Sequence, residues 1–425
     1  MPLPTEKKRI HHNLIADHVM KEVFLKTIMD TDVLLRYDSK SGLYLPDGES
    51  FVKAKVEKIM DELDQSEFTT ISYVREVAGH IKRSTLIARE KINGDPDLLV
   101  VRNGIIQLGN RELLPHSSKE VFTIGVPVSY ASDATCPLID SFIPQIVRAE
   151  DIALLYELVG WCLDRKSTIQ KLFFLLGSGA NGKSTYLNLL RKFLGPENCS
   201  AASLQSLADN RFTMAQLSDK LANIFPDLPA SGIRDAAVIK GLTGGDVMQA
   251  EHKFEKPFNL QNTAKLIFSA NKAPRLSEDS DAIWRRLVIV DFPNQFMGAK
   301  ADNDLVNKLT TAEELSGLLN AALEALQRLR QQKTFSVGVS LESVRRQYLL
   351  NSNPVPIFIE ERCDRDIKAS VAKDDLYDAF LQFCEDTGTN ILGKKAFGAR
   401  LNAMQIATEG QDPLHTHIWR GLKLR

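Results

Sequence analysis

Apolar and polar positions in the first part of the 425-residue chain follow a mixed, mainly helical pattern. Apolar residues recur at helical spacing in MKEVFLKTIMD and SFVKAKVEKIMDEL, which flank a hairpin signal at SGLYLPDG. Two short strands are predicted in LLVVRNGIIQLGNRELLP, and an amphipathic helix is predicted over 149–164. We therefore expect a mixed helical domain over residues 1–97 and a second, collar-like region over residues 98–165.

From residue 166 onward, the pattern changes to short unbroken apolar runs separated by helical segments. The runs are KLFFLL, KLANIF, AKLIFSA and RLVIVDF, and a longer helical stretch follows from about 301 to 331. Strands that are buried on both faces of a parallel sheet read as continuous apolar runs. Residues 166–335 are therefore predicted to form an α/β domain.

The last part of the chain begins with a polar connector, QQKTFSVGVS, and a proline-containing break, NSNPVP. Three helical segments and a strand-like tail, HTHIWRGLKLR, follow the break. This order predicts a linker and a winged-helix domain over residues 336–425. Lys394, Lys395 and Arg400 on its third helix are candidates for a DNA or protein contact, and a structural or subunit-contact role fits equally well.

Composition excludes several classes of protein. The formal net charge is −1 and 44% of the residues are hydrophobic, so the chain has an ordinary soluble composition without overall basicity. The five cysteines are far apart, which argues against a zinc cluster and against a disulfide framework. Neither a signal-peptide core nor an apolar run of roughly 20 residues is present. We expect a cytoplasmic protein with no membrane partner.

The segment GSGANGKST fits the pattern G-x-x-x-x-G-K-[ST] and lies between a predicted strand and a predicted helix. Its glycines let backbone N–H groups turn toward a phosphate, while Lys183 would neutralise phosphate oxygens and Ser184 would offer its hydroxyl to Mg²⁺. The alternative is a chance glycine-rich turn. The motif predicts ATP and Mg²⁺ as ligands, with these binding residues: Gly177, Ser178, Gly179, Ala180, Asn181, Gly182, Lys183, Ser184 and Thr185.

Two polar residues follow later apolar runs of the same domain. Asp227 ends KLANIFPDLP and is a candidate to hold Mg²⁺ or to orient the attacking water. Leu228 follows it, so a second adjacent acid is missing and the division of labour stays open. Asn271 ends LIFSAN and could contact the γ-phosphate or position water. A turn aspartate and a loop asparagine are the structural alternatives.

An arginine pair and a hairpin complete the set of candidates. Arg286 opens the run LVIVDF and is the preferred arginine finger, with Arg285 as the second choice and a salt bridge as the alternative for both. The segment IKGLTGGDVMQAEHKFEKPFNL predicts a β-hairpin with His252, Lys253 and Phe254 near its tip. Lys253 could pair with a DNA phosphate and Phe254 could stack on a base, unless the hairpin is simply solvated.

Together, GSGANGKST, KLANIFPDL, IKGLTGGDVMQAEHKF, KLIFSANKAP and IWRRLVIVDF resemble the superfamily 3 helicases of viruses, phages and plasmids. The similarity is greatest to the poxvirus-type primase-helicase branch, and it covers roughly residues 98–425. The resemblance implies an AAA+-like P-loop ATPase core with an N-terminal, mostly helical domain and a C-terminal winged helix. It also implies a ring, usually a hexamer, that translocates 3′→5′ on single-stranded DNA.

The resemblance assigns catalytic roles to Lys183, Asp227, Asn271 and Arg286, metal binding to Ser184 and Asp227, and DNA binding to residues 252–254. This sequence departs from the family in two places. His252 precedes the lysine where many relatives have a Lys-His pair, and the paired acids are incomplete. Residues 1–95 lack the closely spaced carboxylates and histidine of a primase domain.

The sequence thus predicts an ATP-dependent replicative DNA helicase of a virus, phage, plasmid or other mobile element. Its expected partners are single-stranded or forked DNA, further copies of itself in a homo-hexamer, and a separate primase or origin-binding protein. Two alternatives remain. One is a monomeric P-loop phosphotransferase whose activity ignores DNA, and the other is an origin-binding NTP switch that does not unwind.

Overall fold

The computed structural model describes residues 9–166, 169–229, 236–253, 257–274, 280–298, 302–336, 341–389 and 391–425. Its architecture is mixed α/β, with helices packed against five separate sheets among these residues. Within them, no helix combines the length and the apolar character needed to cross a bilayer. The combination of helices and sheets confirms the predicted α/β class.

The N-terminal part packs three helices on a four-stranded sheet with strand order β3-β2-β1-β4. The helices are α1 (His12–Glu22), α2 (Gly48–Glu62) and α3 (Ile71–Ser84). The strands are β1 (Leu25–Ile28), β2 (Leu34–Asp38), β3 (Leu43–Leu45) and β4 (Leu86–Ile87). The predicted hairpin is confirmed, because β2 and β3 pair antiparallel, but its turn lies at residues 39–42 and β3 lies within SGLYLPDG itself.

The prediction of one helix through MKEVFLKTIMD was wrong in its second half. The helix α1 ends at Glu22, and β1 begins two residues after Val23. Leu25 and Ile28 are buried in the sheet, where β1 pairs with β2 and β4. Short apolar runs fit a helix or a strand equally well by periodicity, and here pairing with distant strands decided the outcome.

A three-stranded antiparallel sheet and two helices lead into the central domain. The strands are β5 (Leu98–Val101), β6 (Gly104–Gln107) and β7 (Leu113–Leu114), and the helices are α4 (Pro137–Ile146) and α5 (Ile152–Leu163). The helix predicted over 149–164 corresponds to α5. A single hydrophobic cluster contains residues from Leu99 to Phe335 and so joins the two predicted segments 98–165 and 166–335.

The central sheet contains five parallel strands in the order β14-β8-β13-β10-β9. These strands are β8 (Leu172–Leu176), β9 (Cys199–Ser200), β10 (Ala222–Pro226), β13 (Lys265–Ala270) and β14 (Leu287–Asp291). The four apolar runs predicted as strands correspond to β8, β10, β13 and β14. Because all five are parallel, the residues that follow them meet at one carboxyl edge, which is where ligands bind in such sheets.

Helices cover the central sheet on both sides and a hairpin leaves it. The helices are α6 (Lys183–Leu194), α7 (Leu204–Asp209), α8 (Arg211–Met214), α9 (Ala236–Gly244), α10 (Asp281–Trp284), α11 (Leu305–Leu309) and α12 (Ala312–Gln332). The hairpin is β11 (Val247–Ala250) and β12 (Phe258–Gln261), which pair antiparallel as predicted.

The C-terminal part packs helices around a three-stranded sheet with strand order β15-β17-β16. The helices are α13 (Leu341–Ser352), α14 (Val355–Arg362), α15 (Lys373–Thr387) and α16 (Lys394–Ala403). The strands are β15 (Cys363–Ala372), β16 (Thr408–Gln411) and β17 (His417–Leu424). The proline-containing break lies between α13 and α14, and α13 contacts the central domain through Tyr348, whose hydroxyl donates to the Pro274 carbonyl.

Candidate nucleotide-binding site

The glycine-rich loop, residues 177–185, leaves β8 and enters α6. Three of its residues lie in the left-handed region, with φ of 110° at Gly179, 49° at Ala180 and 86° at Gly182. A Cβ atom at Gly182 would also lie only 2.4 Å from Cγ2 of Ile146. Glycine therefore lets the loop curve tightly and lets α6 start against α4.

Lys183 is buried at the first position of α6 with 6% of its surface exposed. Its Nζ donates to the Gly177 carbonyl at 2.7 Å and to Asn181 Oδ1 at 2.9 Å. Burial lowers the pKa of Lys183, and the nearby Asp227 partly offsets that effect. Both direct acceptors are neutral, so an anion placed beside the ammonium group would be stabilised.

Hydrogen bonds hold the loop to the segment that follows β14. Asn181 is buried, and its Nδ2 donates to the Phe292 carbonyl at 3.2 Å. The Phe296 N–H donates to the Ala180 carbonyl at 2.7 Å. These two hydrogen bonds thus tie the loop to the chain segment that follows β14 and support its curved shape.

A cavity of about 610 Å³ lies over this loop at the carboxyl edge of the sheet. Its lining includes residues 179–185 together with Asp227 and Asn271, while Gly177 and Ser178 lie outside the lining. The structure thus brings the loop, the acid and the amide of the sequence analysis to one cavity. Their roles in catalysis stay predictions.

Asp227 and Asn271 follow neighbouring strands, because β13 lies between β8 and β10. Asp227 has a positive φ of 80°, which aspartate tolerates better than most residues. The N–H groups of Asp227 and Leu228 both donate to the Ser269 carbonyl, at 3.1 and 2.7 Å. This turn leaves the Asp227 carboxylate exposed at the cavity, and Asn271 is exposed beside it.

Part of the cavity wall was missed by the sequence analysis. Pro226 and Ser269 line it from the strands β10 and β13. Further lining residues come from α4, from the segment after β14 and from the start of α11: Phe142, Gln145, Phe296, Asp302 and Leu305. No local motif marks them, because α4 precedes the loop by more than thirty positions in the chain and the other segment follows it by more than a hundred. The aromatic and aliphatic members give the cavity an apolar part beside its polar loop.

The donor set suits Mg²⁺ held jointly with phosphates. Ser184 and Asp227 are both exposed and both line the cavity. Among the described residues, no group of three or more histidine, cysteine, aspartate or glutamate side chains could hold a metal by itself. Mg²⁺ is commonly bound by one or two protein oxygens plus substrate phosphates and water, so these residues fit it.

The arginine pair lies at the opposite, amino edge of the sheet, directly before β14. The Arg286 side chain is only 7% exposed and donates to Thr243 Oγ1 at 3.0 Å, the Ala282 carbonyl at 2.6 Å and Gln170 Oε1 at 3.2 Å. Burial and the neighbouring Arg285 lower the pKa of Arg286. Arg285 itself is exposed.

The hairpin presents two of its three predicted DNA-binding residues in the described part of the chain. His252 and Lys253 are exposed after β11, and the His252 ring stacks on Phe258 with centroids 5.2 Å apart. Phe254 lies outside the described residues. The position of the hairpin fits the prediction, whereas a contact with DNA stays a prediction.

The basic residues predicted on the third C-terminal helix differ in their accessibility. Lys394 forms an ion pair with Asp374, and Lys395 is exposed. Arg400 is half-buried and donates to Asn353 Oδ1 at 3.1 Å, so it braces α16 against the end of α13. Lys395 is therefore the best placed of the three for an external contact.

Three family models match successive parts of the chain. The model described as "D5 N terminal like" matches residues 22–148, and the model described as "Poxvirus D5 protein-like" matches residues 350–409. Between them, residues 175–286 match a family of unknown function, DUF5906. This middle match contains the glycine-rich loop, Asp227, Asn271 and both arginines.

Two known proteins are similar to larger parts of the chain. A protein of Acanthamoeba polyphaga mimivirus, named "Putative helicase", is 27% identical over 173 residues, which are 39% of this chain and 18% of the viral protein. The apo structure of the NrS-1 C-terminal region superposes with a TM-score of 0.51 at 11% identity, covering 97% of this chain and 99% of that one, and so shares its fold. The two D5 matches and the helicase-like relative together support a relationship to the viral primase-helicases of the poxvirus D5 type.

Proposed function

We propose that this protein is an ATP-dependent DNA helicase that translocates 3′→5′ on single-stranded DNA. One observation carries the proposal: a single cavity joins the glycine-rich loop with Asp227 and Asn271 at the carboxyl edge of a parallel sheet. The order β14-β8-β13-β10-β9, with the Asn271 strand between the loop strand and the acid strand, supports an AAA+-like P-loop core. The C-terminal helices and sheet are the proposed winged helix.

Residues of the cavity have distinct tasks in this proposal. The loop N–H groups and the start of α6 bind the phosphates, and Lys183 exchanges its neutral acceptors for phosphate oxygens. Asp227 and Asn271 orient the attacking water, with Asp227 accepting its proton or holding the metal's water shell. The metal held with Ser184 and Asp227 would neutralise phosphate charge.

The arginine finger is proposed to act on the cavity of a neighbouring copy. The pair lies at the amino edge and the loop at the carboxyl edge, so β8 separates them by about 16 Å at roughly 3.3 Å per residue. A side chain at one edge cannot reach a phosphate at the other within the same subunit. Arginine catalysis therefore requires a ring of copies, a homo-hexamer in our proposal.

The structure favours a revision within the arginine pair. Arg286 is the finger preferred from the sequence, but its side chain is buried and donates to three acceptors of its own subunit. Arg285 is exposed and keeps its guanidinium on the surface. We propose Arg285 as the trans-acting residue and Arg286 as the residue that positions it.

The hairpin β11–β12 is proposed to follow the DNA backbone in the channel of the ring. Lys253 is exposed near its tip, and six copies would place six lysines around the strand. A chain with a formal net charge of −1 is compatible with DNA binding under this arrangement, because the basic surface is local. A separate primase or origin-binding protein is the proposed loading partner.

The proposal is tested by ATP hydrolysis with and without single-stranded DNA. We expect DNA to stimulate hydrolysis, Lys183→Ala to abolish it, and Lys253→Ala to remove the stimulation while leaving basal hydrolysis. Hydrolysis that DNA does not change, in a protein that stays monomeric with ATP, would identify a phosphotransferase instead. ATP binding without hydrolysis, together with duplex binding, would identify an origin-binding switch.

A further inference from the structure

A second polar cavity, of about 430 Å³, lies at the amino edge of the central sheet, away from the nucleotide site. It is bounded by the end of α5, the start of β8, the end of α9 and the base of the β11–β12 hairpin. Gly245 and Gln261 at the hairpin base belong to its lining. Gln170 and Thr243 of the lining accept hydrogen bonds from Arg286, but none of the functions proposed above places a ligand in this cavity.

Its lining carries four cations and, among the described residues, no carboxylate. The cations are Arg165, Lys166, Lys171 and Lys265. The Arg165 guanidinium donates to the Asn93 carbonyl, and Lys171 Nζ donates to the Arg285 carbonyl at 2.6 Å. Two of the four cations therefore have neutral carbonyl oxygens as their direct acceptors.

The carboxylates that bind the lysines and arginines around this cavity are shared among several cations. Asp97 accepts from Lys166 at 2.9 Å and from Arg330 at 2.8 Å, so it serves two cations. Asp164 is buried and accepts from the same Arg330 at 2.8 Å. The two acids are thus shared with a further arginine, and Asp95 and Asp219 act electrostatically on Arg165 from outside the lining. The described lining itself stays positively charged.

Lys265 is the most deeply buried cation of this lining, and its ammonium group is destabilised there. Only 6% of its surface is exposed, and its Nζ lies 5.1 Å from the centre of the Trp161 ring. Burial lowers its pKa to about 8, with Asp164 acting in the opposite direction. A buried lysine of this kind is stabilised when an anion enters beside it.

We propose that this cavity is a second phosphate-binding site. A tetrahedral phosphate offers several acceptor oxygens, which matches cations that line the cavity from the turn after α5, from β13 and from the residue before β8. The volume exceeds that of one phosphate and admits the attached sugar. Its position at the hairpin base fits a backbone phosphate of single-stranded DNA, and a nucleotide phosphate has the same chemistry.

The test compares three variants for binding of a fluorescein-labelled dT20 oligonucleotide, by anisotropy in EDTA without nucleotide. Lys171→Gln and Lys265→Met each remove one cation of the cavity, and Lys58→Gln removes an exposed lysine of the N-terminal helix α2. We expect roughly tenfold or more weaker binding for each cavity variant, since each loses one charge-assisted hydrogen bond to a phosphate. The slope of log K against log salt should fall in magnitude by about 0.7 for one lost contact.

A second arm measures a nucleotide directly. The comparison is between the Lys183→Ala variant and the double variant Lys183→Ala/Lys171→Gln. If the first still binds fluorescent mant-ATP and the second does not, the phosphate comes from a nucleotide. Thermal unfolding checks that each variant folds. If Lys265→Met does not fold, binding by Lys171→Gln alone decides the test. Binding of both probes equal to that of Lys58→Gln would overturn the proposal.

The inference about phosphate binding rests on the cavity alone, whereas its assignment to DNA rests on the proposed helicase function. The binding measurements need neither hydrolysis nor unwinding. A protein that binds dT20 through Lys171 but never separates strands would retain the phosphate site and lose the helicase proposal. If Lys171→Gln and Lys265→Met change neither unwinding nor dT20 binding, the helicase proposal stands and the phosphate site is overturned.

Discussion

The two adjacent arginines should separate into a structural and a catalytic residue. Arg286→Ala removes three hydrogen bonds from a side chain that is 7% exposed. At about 1 kcal/mol for each bond, the loss of stability is roughly 3 kcal/mol. This corresponds to a fall in Tm of roughly 6–12 °C for a cooperative unit of about 150–250 residues. Arg285→Ala, at an exposed position, should change stability by less than about 0.5 kcal/mol.

Catalysis should show the opposite pattern. Arg285→Ala should bind mant-ATP normally and lose DNA-stimulated hydrolysis by roughly 10³-fold or more, as expected for an arginine finger. Mixing it with Lys183→Ala subunits should restore part of the activity, because each variant supplies the half-site that the other lacks. The assays are steady-state phosphate release and thermal unfolding of the same preparations.

One result would refute this reasoning. If Arg286→Ala keeps the wild-type Tm and loses hydrolysis, while Arg285→Ala hydrolyses ATP normally, the buried hydrogen bonds are not what fixes Arg286. The finger would then be Arg286, as the sequence analysis assigned it, and its side chain would have to leave those acceptors when subunits meet.

Three further changes test the site and its support. Glu314→Ala removes a buried carboxylate that accepts hydrogen bonds from two backbone N–H groups at the start of α4, each at 3.1 Å. We expect the free energy of unfolding to fall by about 2–3 kcal/mol, measured by thermal unfolding, and nucleotide binding to weaken. Phe296→Ala removes part of the apolar cavity wall and should weaken mant-ATP binding roughly tenfold, whereas Phe212→Ala, 41% exposed elsewhere, should not. Gly160→Ala would place a Cβ 2.5 Å from a carbonyl oxygen of α12 and should lower the free energy of unfolding, measured by urea titration, by about 1–3 kcal/mol. Gly109→Ala is the control, because a Cβ there meets open space and should leave the stability unchanged.

The sequence predicted the central sheet well because its strands are buried on both faces. β8 is entirely apolar, and β10, β13 and β14 are mostly apolar, with Asn223 and Lys265 among the buried polar exceptions. A run of that length bounded by turn residues favours a buried strand over a surface helix or a loop. The two-residue strand β9 carries no such signal and was not predicted. The strand β1 was assigned to a helix because its four residues become a strand only through pairing with distant β2 and β4.

The candidate site was likewise predicted only in part. The loop, Asp227 and Asn271 were found because each follows an apolar run, and parallel strands bring such positions to one edge. Phe142 and Phe296 were missed because tertiary packing alone brings them over the loop. The burial of Arg286 could not be foreseen either, since its acceptors Thr243 and Gln170 are remote in sequence.

Strand displacement tests the central claim most directly. The substrate is a fork with a labelled strand and a single-stranded 3′ tail, and the protein is the full chain with ATP and Mg²⁺. The account predicts displacement that requires the 3′ tail, is absent with Lys183→Ala, and is lost with Lys253→Ala while ATP still binds. No displacement by wild-type protein assembled with ATP on the fork, or equal displacement by Lys183→Ala, would contradict it.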